Sequence, residues 1–413
     1  MDHDIDLSTA LFSPEVASDP HPLLRRLREA GPVHRLERYG WWVVTRHADV
    51  TQILRRPDVF SSDTGLDRLR PPYVEDRAWQ EIERSRGPSM VNSDPPEHTR
   101  LRRLITGAFT PRAMTRLEAR VQEITADLLD RIVGSERFDV VDDLAIPLPV
   151  TVIAEMLGVD PKDTADFKRW SDELLEFGQL TREQRMSPVA SARLVKSRCE
   201  LIAYLEACIE ARREEPRDDL ISELVRAESE EGKLTANEVL GMLVLLLIAG
   251  NETTTNLIAT GTHLLLEHPE ALAELRADPS LVPNFLEEVL RYDGPVTMLF
   301  RRTIAEVEVA GTTIPRGALV LPLVAAANRD PDQFCAPDRF DIRRDTRGHL
   351  GFGHGIHFCV GAPLSRLEGR IAFTELLRRL PPFARVDAQP MWRDNSTFRA
   401  LQSLPLRFER RAA

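Results

Sequence analysis

The segment FGHGIHFCVG, residues 352–361, holds the residues of this sequence that are best suited to chemistry. It places one thiol, that of Cys359, close to His354 and His357 and among three glycines. A helical pattern, PLSRLEGRIAFTELLRRL, follows directly. A thiol in this setting could bind zinc, act as a nucleophile or ligate the iron of a haem.

The three kinds of chemistry make different demands on the neighbouring residues. Zinc would find at most three ligands, His354, His357 and Cys359, with no second cluster to complete a tetrahedron. A nucleophilic cysteine needs a histidine base opposite it, and His357 is only two residues away. A haem thiolate uses more of the segment, because glycines let the backbone approach a flat macrocycle and the next helix directs its positive end at the sulfur. The residues favour haem, and the other two readings stay open.

Composition limits the setting in which this thiol works. The 413 residues carry a net charge of -11, which disfavours nucleic acid as a partner. The start MDHDIDLSTALF lacks the basic and apolar regions of a secretory signal, and the apolar run at 239–250 is shorter than the roughly 20 residues that span a bilayer. Cys199, Cys208 and Cys335 show no paired spacing and indicate packing roles. We expect a cytoplasmic protein without a membrane segment.

The elements that must position Cys359 are mostly helices. Strand-like alternation is confined to WWVVT at 41–45, to 307–324 and to SLPLRF at 403–408. No linker or repeat divides the chain, so the sequence predicts a single domain, residues 1–413, mainly α with a minor β region. Amphipathic patterns predict helices at 22–30, 98–109, 111–133, 162–177, 190–213, 220–231, 236–268, 269–277, 283–292 and 362–380.

The pattern FxxGxxxCxG, formed by Phe352, Gly355, Cys359 and Gly361, resembles the haem-binding loop of the cytochrome P-450 family. The resemblance implies a soluble bacterial haem-thiolate monooxygenase with haem b as cofactor and Cys359 as the axial ligand of its iron. It also implies the family's fold, with the haem between a long central helix and the helix that follows the cysteine loop.

The long helix is the second place where the residues suggest chemistry. Thr235 and Glu238 have capping-box spacing and Pro269 ends the pattern, which predicts about 32 residues and roughly 48 Å. Inside it, AGNETTT sets Ala249, Gly250 and Thr253 on one face, where small side chains would admit a flat group. A threonine bonded to its own helix and a solvated glutamate would be the ordinary alternative. The segment is similar to the family's oxygen-activating motif, which implies that Glu252 and Thr253 are catalytic.

Two further sets of residues follow from the resemblance. EEVLRY is similar to the family's ExxR motif, with Glu288 and Arg291, and APDRF supplies Arg339 to complete a buried network. Taken alone, the i,i+3 pair would indicate a solvated surface contact. The propionates of the haem are expected to bind the cations and donors at His98, Arg102, Arg301 and His357.

The substrate is the least specified part of the prediction. An apolar pocket suits a fatty acid, terpene, steroid or macrolide for hydroxylation or epoxidation. The resemblance is weakest at 61–87 and 174–192, which correspond to substrate-contacting loops of the family. The residues expected to line the pocket are Met90, Val91, Leu245, Val296, Met298 and Thr397.

The electrons are expected to come from separate proteins, a ferredoxin or flavodoxin and its reductase. The sequence has neither a GxGxxG after a strand nor a cysteine quartet, so we expect no fused flavin or iron-sulfur cluster, and no zinc. We expect a monomer. A haem protein that only carries a ligand and a zinc-stabilised helical interaction protein are the alternatives. Basic clusters could dock an acidic carrier or be solvated helix faces: Arg100, Arg103, Arg112, Arg116, Arg120, Arg343, Arg344, Arg347, Arg366 and Arg370.

Overall fold

The chain forms two compact units that alternate along the sequence. A computed structural model describes residues 7–66, 74–84, 89–179, 187–229, 234–386 and 389–408. The larger unit comprises Met1–Ser62, Met114–Leu148 and Thr253–Ala413, and the smaller comprises Asp63–Ala113 and Pro149–Glu252. Within the described residues all strands lie in the larger unit, and the smaller unit is helical.

Helices dominate both units, as the sequence predicts. The expected helices are present with small shifts at their ends, and several short or apolar ones were not predicted. Their bounds are Leu7–Ala10, Pro14–Ser18, His21–Ala30, His47–Arg55, Asp76–Arg84, Glu97–Thr106, Pro111–Val133, Pro147–Leu157, Thr164–Gln179, Pro188–Glu214, Leu220–Ser229, Ala236–Glu267, Pro269–Ala277, Val282–Asp293, Val324–Ala327 and Ala362–Arg379.

The strands of the larger unit form one mixed sheet and three small ones. They are β1 Val33–Leu36, β2 Trp41–Val44, β3 Phe60–Ser61, β4 Arg137–Asp139, β5 Arg301–Thr303, β6 Val307–Val309, β7 Thr312–Ile314, β8 Leu319–Pro322, β9 Phe383–Arg385, β10 Met391–Trp392, β11 Leu401–Ser403 and β12 Pro405–Phe408. The main sheet has the order β1-β2-β8-β5-β3, and only β2 and β8 run parallel. The others are β4-β12-β9, β6-β7 and β10-β11, all antiparallel.

The main sheet buries both of its faces. Because successive side chains of a strand alternate, Val44 and Val320 pack into one hydrophobic cluster, and Val43 and Leu321 pack into another. The first cluster includes Leu54, which lies in the last turn of the helix His47–Arg55. This cluster therefore fixes the backbone of Leu54, against which the cysteine loop is placed.

The helix Ala236–Glu267, the long helix, begins with the predicted capping box. The Thr235 amide donates to Glu238 Oε2 at 2.6 Å, and the Glu238 amide donates to Thr235 Oγ1 at 3.3 Å. Among the described helices it alone is long and apolar enough to cross a membrane. However, 72% of its most apolar window is buried inside the protein, which is the pattern of a core helix.

The helix Ala362–Arg379, the cysteine helix, packs closely on the carboxyl-terminal half of the long helix. A methyl group on Gly261 would lie 2.6 Å from the ring of Phe373, and one on Gly369 would lie 3.1 Å from Leu286 and 3.6 Å from Leu257. Glycine at both positions lets the helices approach each other. The packing ties the helix after Cys359 to the half of the long helix that begins at Thr253.

Candidate active site

The loop before the cysteine helix presents Cys359 at the surface of the larger unit. Gly355 has φ +71°, and a methyl group there would lie 2.4 Å from the Leu54 carbonyl oxygen, so only glycine fits. The Cys359 amide donates to the Phe352 carbonyl at 2.9 Å, which closes the loop. The thiol is exposed, and the cysteine helix is capped by Gly361 two residues later. The helix dipole therefore favours a thiolate here.

The loop histidines are directed to partners other than a shared metal. His354 Nε2 accepts a hydrogen bond from Arg55 Nε at 2.6 Å, and His357 Nε2 lies 2.9 Å from Ser62 Oγ. Burial, together with Arg55, lowers the pKa of His354. Across the described residues, no three His, Cys, Asp or Glu side chains converge on a point where zinc could bind.

The predicted catalytic segment lies in the middle of the long helix. Glu252 is buried, whereas Thr253 is half-buried. Ala249 is exposed although Leu247 and Asn251 beside it are buried, so the helix offers a small side chain at an open position. The small side chain of Ala249 leaves room for a flat group against the helix.

Gly250 has a packing role that the sequence did not reveal. A methyl group there would lie 3.3 Å from Ile153, on the helix Pro147–Leu157 of the same unit. The absent side chain of Gly250 thus makes room for Ile153. A contact of Gly250 with a cofactor would have to use its backbone.

The four predicted propionate ligands are all at least partly buried. His98 and Arg102 share one face of the helix Glu97–Thr106, and burial followed by the Arg102 charge lowers the pKa of His98, which keeps its imidazole neutral at pH 7. Arg301 begins β5, is 7% exposed and donates to the Phe300 carbonyl at 2.8 Å. His357 is half-buried.

The Glu288 network is present, but its third member is Arg344 and not Arg339. Glu288 and Arg291 are fully buried and form two hydrogen bonds of 2.7 and 2.8 Å. Arg344 Nε lies 3.2 Å from Glu288 Oε1, and its side chain is 9% exposed. The Arg339 side chain is 74% exposed and lies 3.9 Å from Asp341. The prediction of Arg339 was therefore wrong, since only its backbone carbonyl takes part by accepting from Arg291 and Arg344.

The predicted pocket residues separate into different environments. Val296 and Thr397 lie on adjacent segments, where the Thr297 amide donates to the Thr397 carbonyl at 3.0 Å and Val296 bridges to Phe398. Both are half-buried, as is Leu245. Met298 is 2% exposed and packs into the hydrophobic cluster around Leu321, so its place in the pocket stays a prediction.

The other predicted pocket residues belong to the smaller unit. Met90 and Val91 form one turn of 3-10 helix, in which Met90 is buried and Val91 is 48% exposed. Of the segments predicted to contact substrate, 67–73, 85–87 and 180–186 lie outside the described residues.

Known protein families and solved structures match nearly the whole chain. The cytochrome P450 family model matches residues 42–382. The chain belongs to the cytochrome P450 family. It is 42% identical to the cytochrome P450 monooxygenase PikC of Streptomyces venezuelae, over 98% of this chain and 94% of that protein. It is 41% identical to the 6-deoxyerythronolide B hydroxylase of Saccharopolyspora erythraea, over 93% and 94%. The structure of CYP109Q5 from Chondromyces apiculatus has a TM-score of 0.86 at 44% identity, covering 96% and 97%.

Cytochrome P450 enzymes are haem-iron oxidoreductases that incorporate oxygen, and this P450 has residues that fit a haem. It offers one exposed thiol at a helix start, an open alanine on the long helix, and cations or donors at His98, Arg102, Arg301 and His357. The fold class and the family predicted from the sequence are confirmed.

Three residues of this P450 have roles that the sequence did not assign to them. Ser62 orients His357, and Arg344 completes the ion network. Glu368, on the cysteine helix, is 1% exposed, and burial raises its pKa to about 8 against the smaller, opposing effect of Thr254 on the long helix. A glutamate on an otherwise apolar helix face was the available signal for Glu368; serine and arginine in loops gave none.

Proposed function

We propose that the chain is a monooxygenase that inserts one oxygen atom from O2 into a hydrophobic small molecule, with Cys359 as the axial ligand of haem b. The observation that carries the proposal is the exposed Cys359 thiol, held by the Gly355 loop at the start of a helix that packs on the Thr253 half of the long helix. A bound haem would supply electron transfer and O2 activation. We propose that both units act as one domain, because the family match runs across them.

We propose that Glu252 and Thr253 direct protons during turnover. A carboxylate in the body of an apolar helix is costly to bury, which supports a use for Glu252. Its oxygen atoms can accept a proton from solvent, and the Thr253 hydroxyl can donate to an acceptor at the open face beside Ala249. Ala249 keeps that face free of side-chain bulk. His98, Arg102, Arg301 and His357 would hold the propionates through charge-assisted hydrogen bonds.

We propose a substrate of macrolide size. The relatives at 42% and 41% identity include a 6-deoxyerythronolide B hydroxylase, and the match covers nearly the whole of both chains. Val296 and Thr397 are half-buried neighbours, so these side chains are available for a large apolar ligand. Whether the product is a hydroxylated compound or an epoxide would depend on which substrate carbon is positioned for reaction.

We propose that a ferredoxin or flavodoxin and its reductase supply the electrons. We also propose that the enzyme is a monomer in the cytoplasm. Among the arginines predicted to dock the carrier, Arg112 is exposed and Arg347 is 91% exposed. Arg344 is not available for docking because it lies in the Glu288 network. The proposed surface is therefore reduced to its exposed members.

The experiment is a carbon monoxide difference spectrum of the reduced protein, followed by binding spectra with a macrolactone, a C14 fatty acid and a steroid. We expect a thiolate-type band, which Cys359→Ala should abolish and Cys335→Ala should leave unchanged, since Cys335 is also an exposed thiol. A band retained in Cys359→Ala would overturn the ligand assignment. Tighter binding of the fatty acid or the steroid than of the macrolactone would overturn the substrate class alone.

A further inference from the structure

Arg366 lies on the cysteine helix, seven residues after Cys359, and its guanidinium is held on two sides. Its Nε and Nη2 donate to the two oxygens of Glu287 at 2.6 and 2.8 Å. Its Cζ lies 4.6 Å from the centre of the Phe352 ring. Paired hydrogen bonds and a ring face together fix the guanidinium in one orientation.

Glu287 is itself anchored to the loop that leads to the cysteine. His349 Nε2 lies 2.9 Å from Glu287 Oε2, and the His349 side chain is 8% exposed. Burial opposes ionisation, yet the hydrogen bonds from Arg366 and His349 lower the pKa of Glu287 to about 2. The carboxylate is therefore charged at any working pH and keeps its hold on Arg366.

Phe352 connects this arrangement to the sulfur. Its ring contacts the Arg366 guanidinium, and its carbonyl accepts the Cys359 amide at 2.9 Å. The pKa of Arg366 is raised first by Glu287 and also by the charge of Cys359, against the effect of burial. The cation thus acts on the same small loop that carries the thiolate.

We propose that Glu287, Arg366 and Phe352 form a clamp that holds the Arg366 guanidinium against the Phe352 ring, in the loop that carries Cys359, and so contributes to the reduction potential of the haem. The proposal rests on the proposed role of Cys359 as the iron ligand. A fixed cation near a thiolate withdraws electron density from the sulfur and favours the more negative, reduced state of the iron. Arg366 is then a positioning residue of the haem ligand and not a cation for docking an electron carrier.

Arg370 is a matched control on the same helix. It lies four residues further along, is 39% exposed against 41% for Arg366, and pairs with Glu118 at 2.7 Å, but it has no contact with the cysteine loop among the interactions of the described residues. Arg366→Gln and Arg370→Gln thus remove the same charge and a similar ion pair. Arg366→Lys keeps the charge without the second donor.

The measurement is the reduction potential of the haem-loaded variants by spectroscopic titration. We expect Arg366→Gln to make reduction about tenfold less favourable, about 59 mV for one electron, with Arg366→Lys and Arg370→Gln close to the parent protein. Should Arg366→Gln not retain haem, Arg366→Met, which keeps the aliphatic stem over Phe352, gives the same comparison.

Equal potentials in the Arg366 and Arg370 variants would overturn the clamp, as would a slower reaction with the carrier at unchanged potential. Loss of potential in Arg366→Lys equal to that in Arg366→Gln would also overturn it, because the charge would not be the cause. Absence of a thiolate-type carbon monoxide spectrum in the parent protein would instead contradict the proposed function.

Discussion

Arg344 Nε lies 3.2 Å from Glu288 Oε1, inside the same network as the fully buried Arg291. Its other nitrogens donate to the backbone carbonyls of Cys335, Ala336 and Arg339. One side chain therefore ties the Glu288 helix to the loop of residues 335–344. The buried charges of Glu288, Arg291 and Arg344 compensate one another only while all three side chains are present.

Arg344→Ala is expected to destabilise the protein far more than Arg339→Ala. The first change removes a buried charge partner and leaves three carbonyls with one donor fewer, at a cost of about 3 kcal/mol. The second removes a side chain that is 74% exposed, which costs less than about 0.5 kcal/mol. Urea unfolding of both variants with haem bound checks this. Equal urea midpoints would show that the Arg344 side chain stabilises the protein no more than an exposed arginine does.

Gly355→Ala is expected to disrupt the cysteine loop, with Gly311→Ala as its control. Both glycines have positive φ, +71° and +80°, which costs an alanine about 1 kcal/mol. At Gly355 the added methyl also meets the Leu54 carbonyl at 2.4 Å, whereas at Gly311 it meets no described atom within 4 Å. We expect a total near 3 kcal/mol and reduced haem content in Gly355→Ala only. Similar haem content in both variants would mean that the loop can shift away from Leu54.

Glu368→Gln is expected to become relatively more stabilising as pH rises. Burial raises the folded-state pKa of Glu368 to about 8, above its usual 4.5, so the unfolded chain loses this proton first. The parent protein therefore loses stability as the pH rises from about 4.5 to 8, whereas the Glu368→Gln variant does not. The stability difference between the two proteins should change by about 2 to 3 kcal/mol between pH 6 and 8.5. An equal difference at both pH values would show that Glu368 ionises normally.

How far the sequence predicted the structure depends on which signal each element left. The long helix was predicted with the correct first residue and a last residue one position too far, because Thr235, Glu238 and Pro269 mark its ends. The helix Pro147–Leu157 was missed, since it is apolar on most sides and rich in β-branched residues, which leaves no helical period to detect. Buried helices of this kind form because tertiary packing overrides local preference.

The same contrast applies to the site. Cys359 and Gly355 were identified because both belong to the short pattern FxxGxxxCxG, in which no other residue type could replace the thiol or the glycine. Arg339 was preferred to Arg344 because it lies in the APDRF pattern. Which arginine side chain points to Glu288 depends instead on the path of the loop, which the pattern does not contain. The residue type of Met298 could not separate a pocket from the core, because an apolar residue near a site suits both.

Arg347→Glu is expected to slow electron transfer from an acidic ferredoxin several-fold at low salt. Arg347 is 91% exposed and lies five residues before Phe352, so its charge faces solvent close to the cysteine loop. Exposed Arg217 is the control for charge reversal elsewhere. Reduction of the parent protein should slow as salt increases, and the gap between it and Arg347→Glu should close. Salt-independent rates, or an equal loss in Arg217→Glu, would exclude this surface.

Thr253→Ala is expected to divert electrons to hydrogen peroxide while nicotinamide consumption continues. If the Thr253 hydroxyl directs a proton during turnover, its loss should lower product per reduced nicotinamide at least several-fold and raise peroxide correspondingly. Glu252→Gln should instead slow turnover, because the carboxylate no longer relays protons. Both are measured with a surrogate redox partner and a ligand from the binding screen.

The control for Thr253 is Thr262, on the same helix. Its hydroxyl donates to the Ile258 carbonyl at 2.9 Å, which is the purely structural use of a helix threonine, and it is fully buried. Thr262→Ala should cost about 1 kcal/mol and leave the ratio of product to peroxide unchanged. If Thr253→Ala behaved in the same way, the Thr253 hydroxyl would have no part in proton transfer. The family membership and the Cys359 ligand would be unaffected, because neither depends on an alcohol at this position, and the proton route would then have to begin at Glu252.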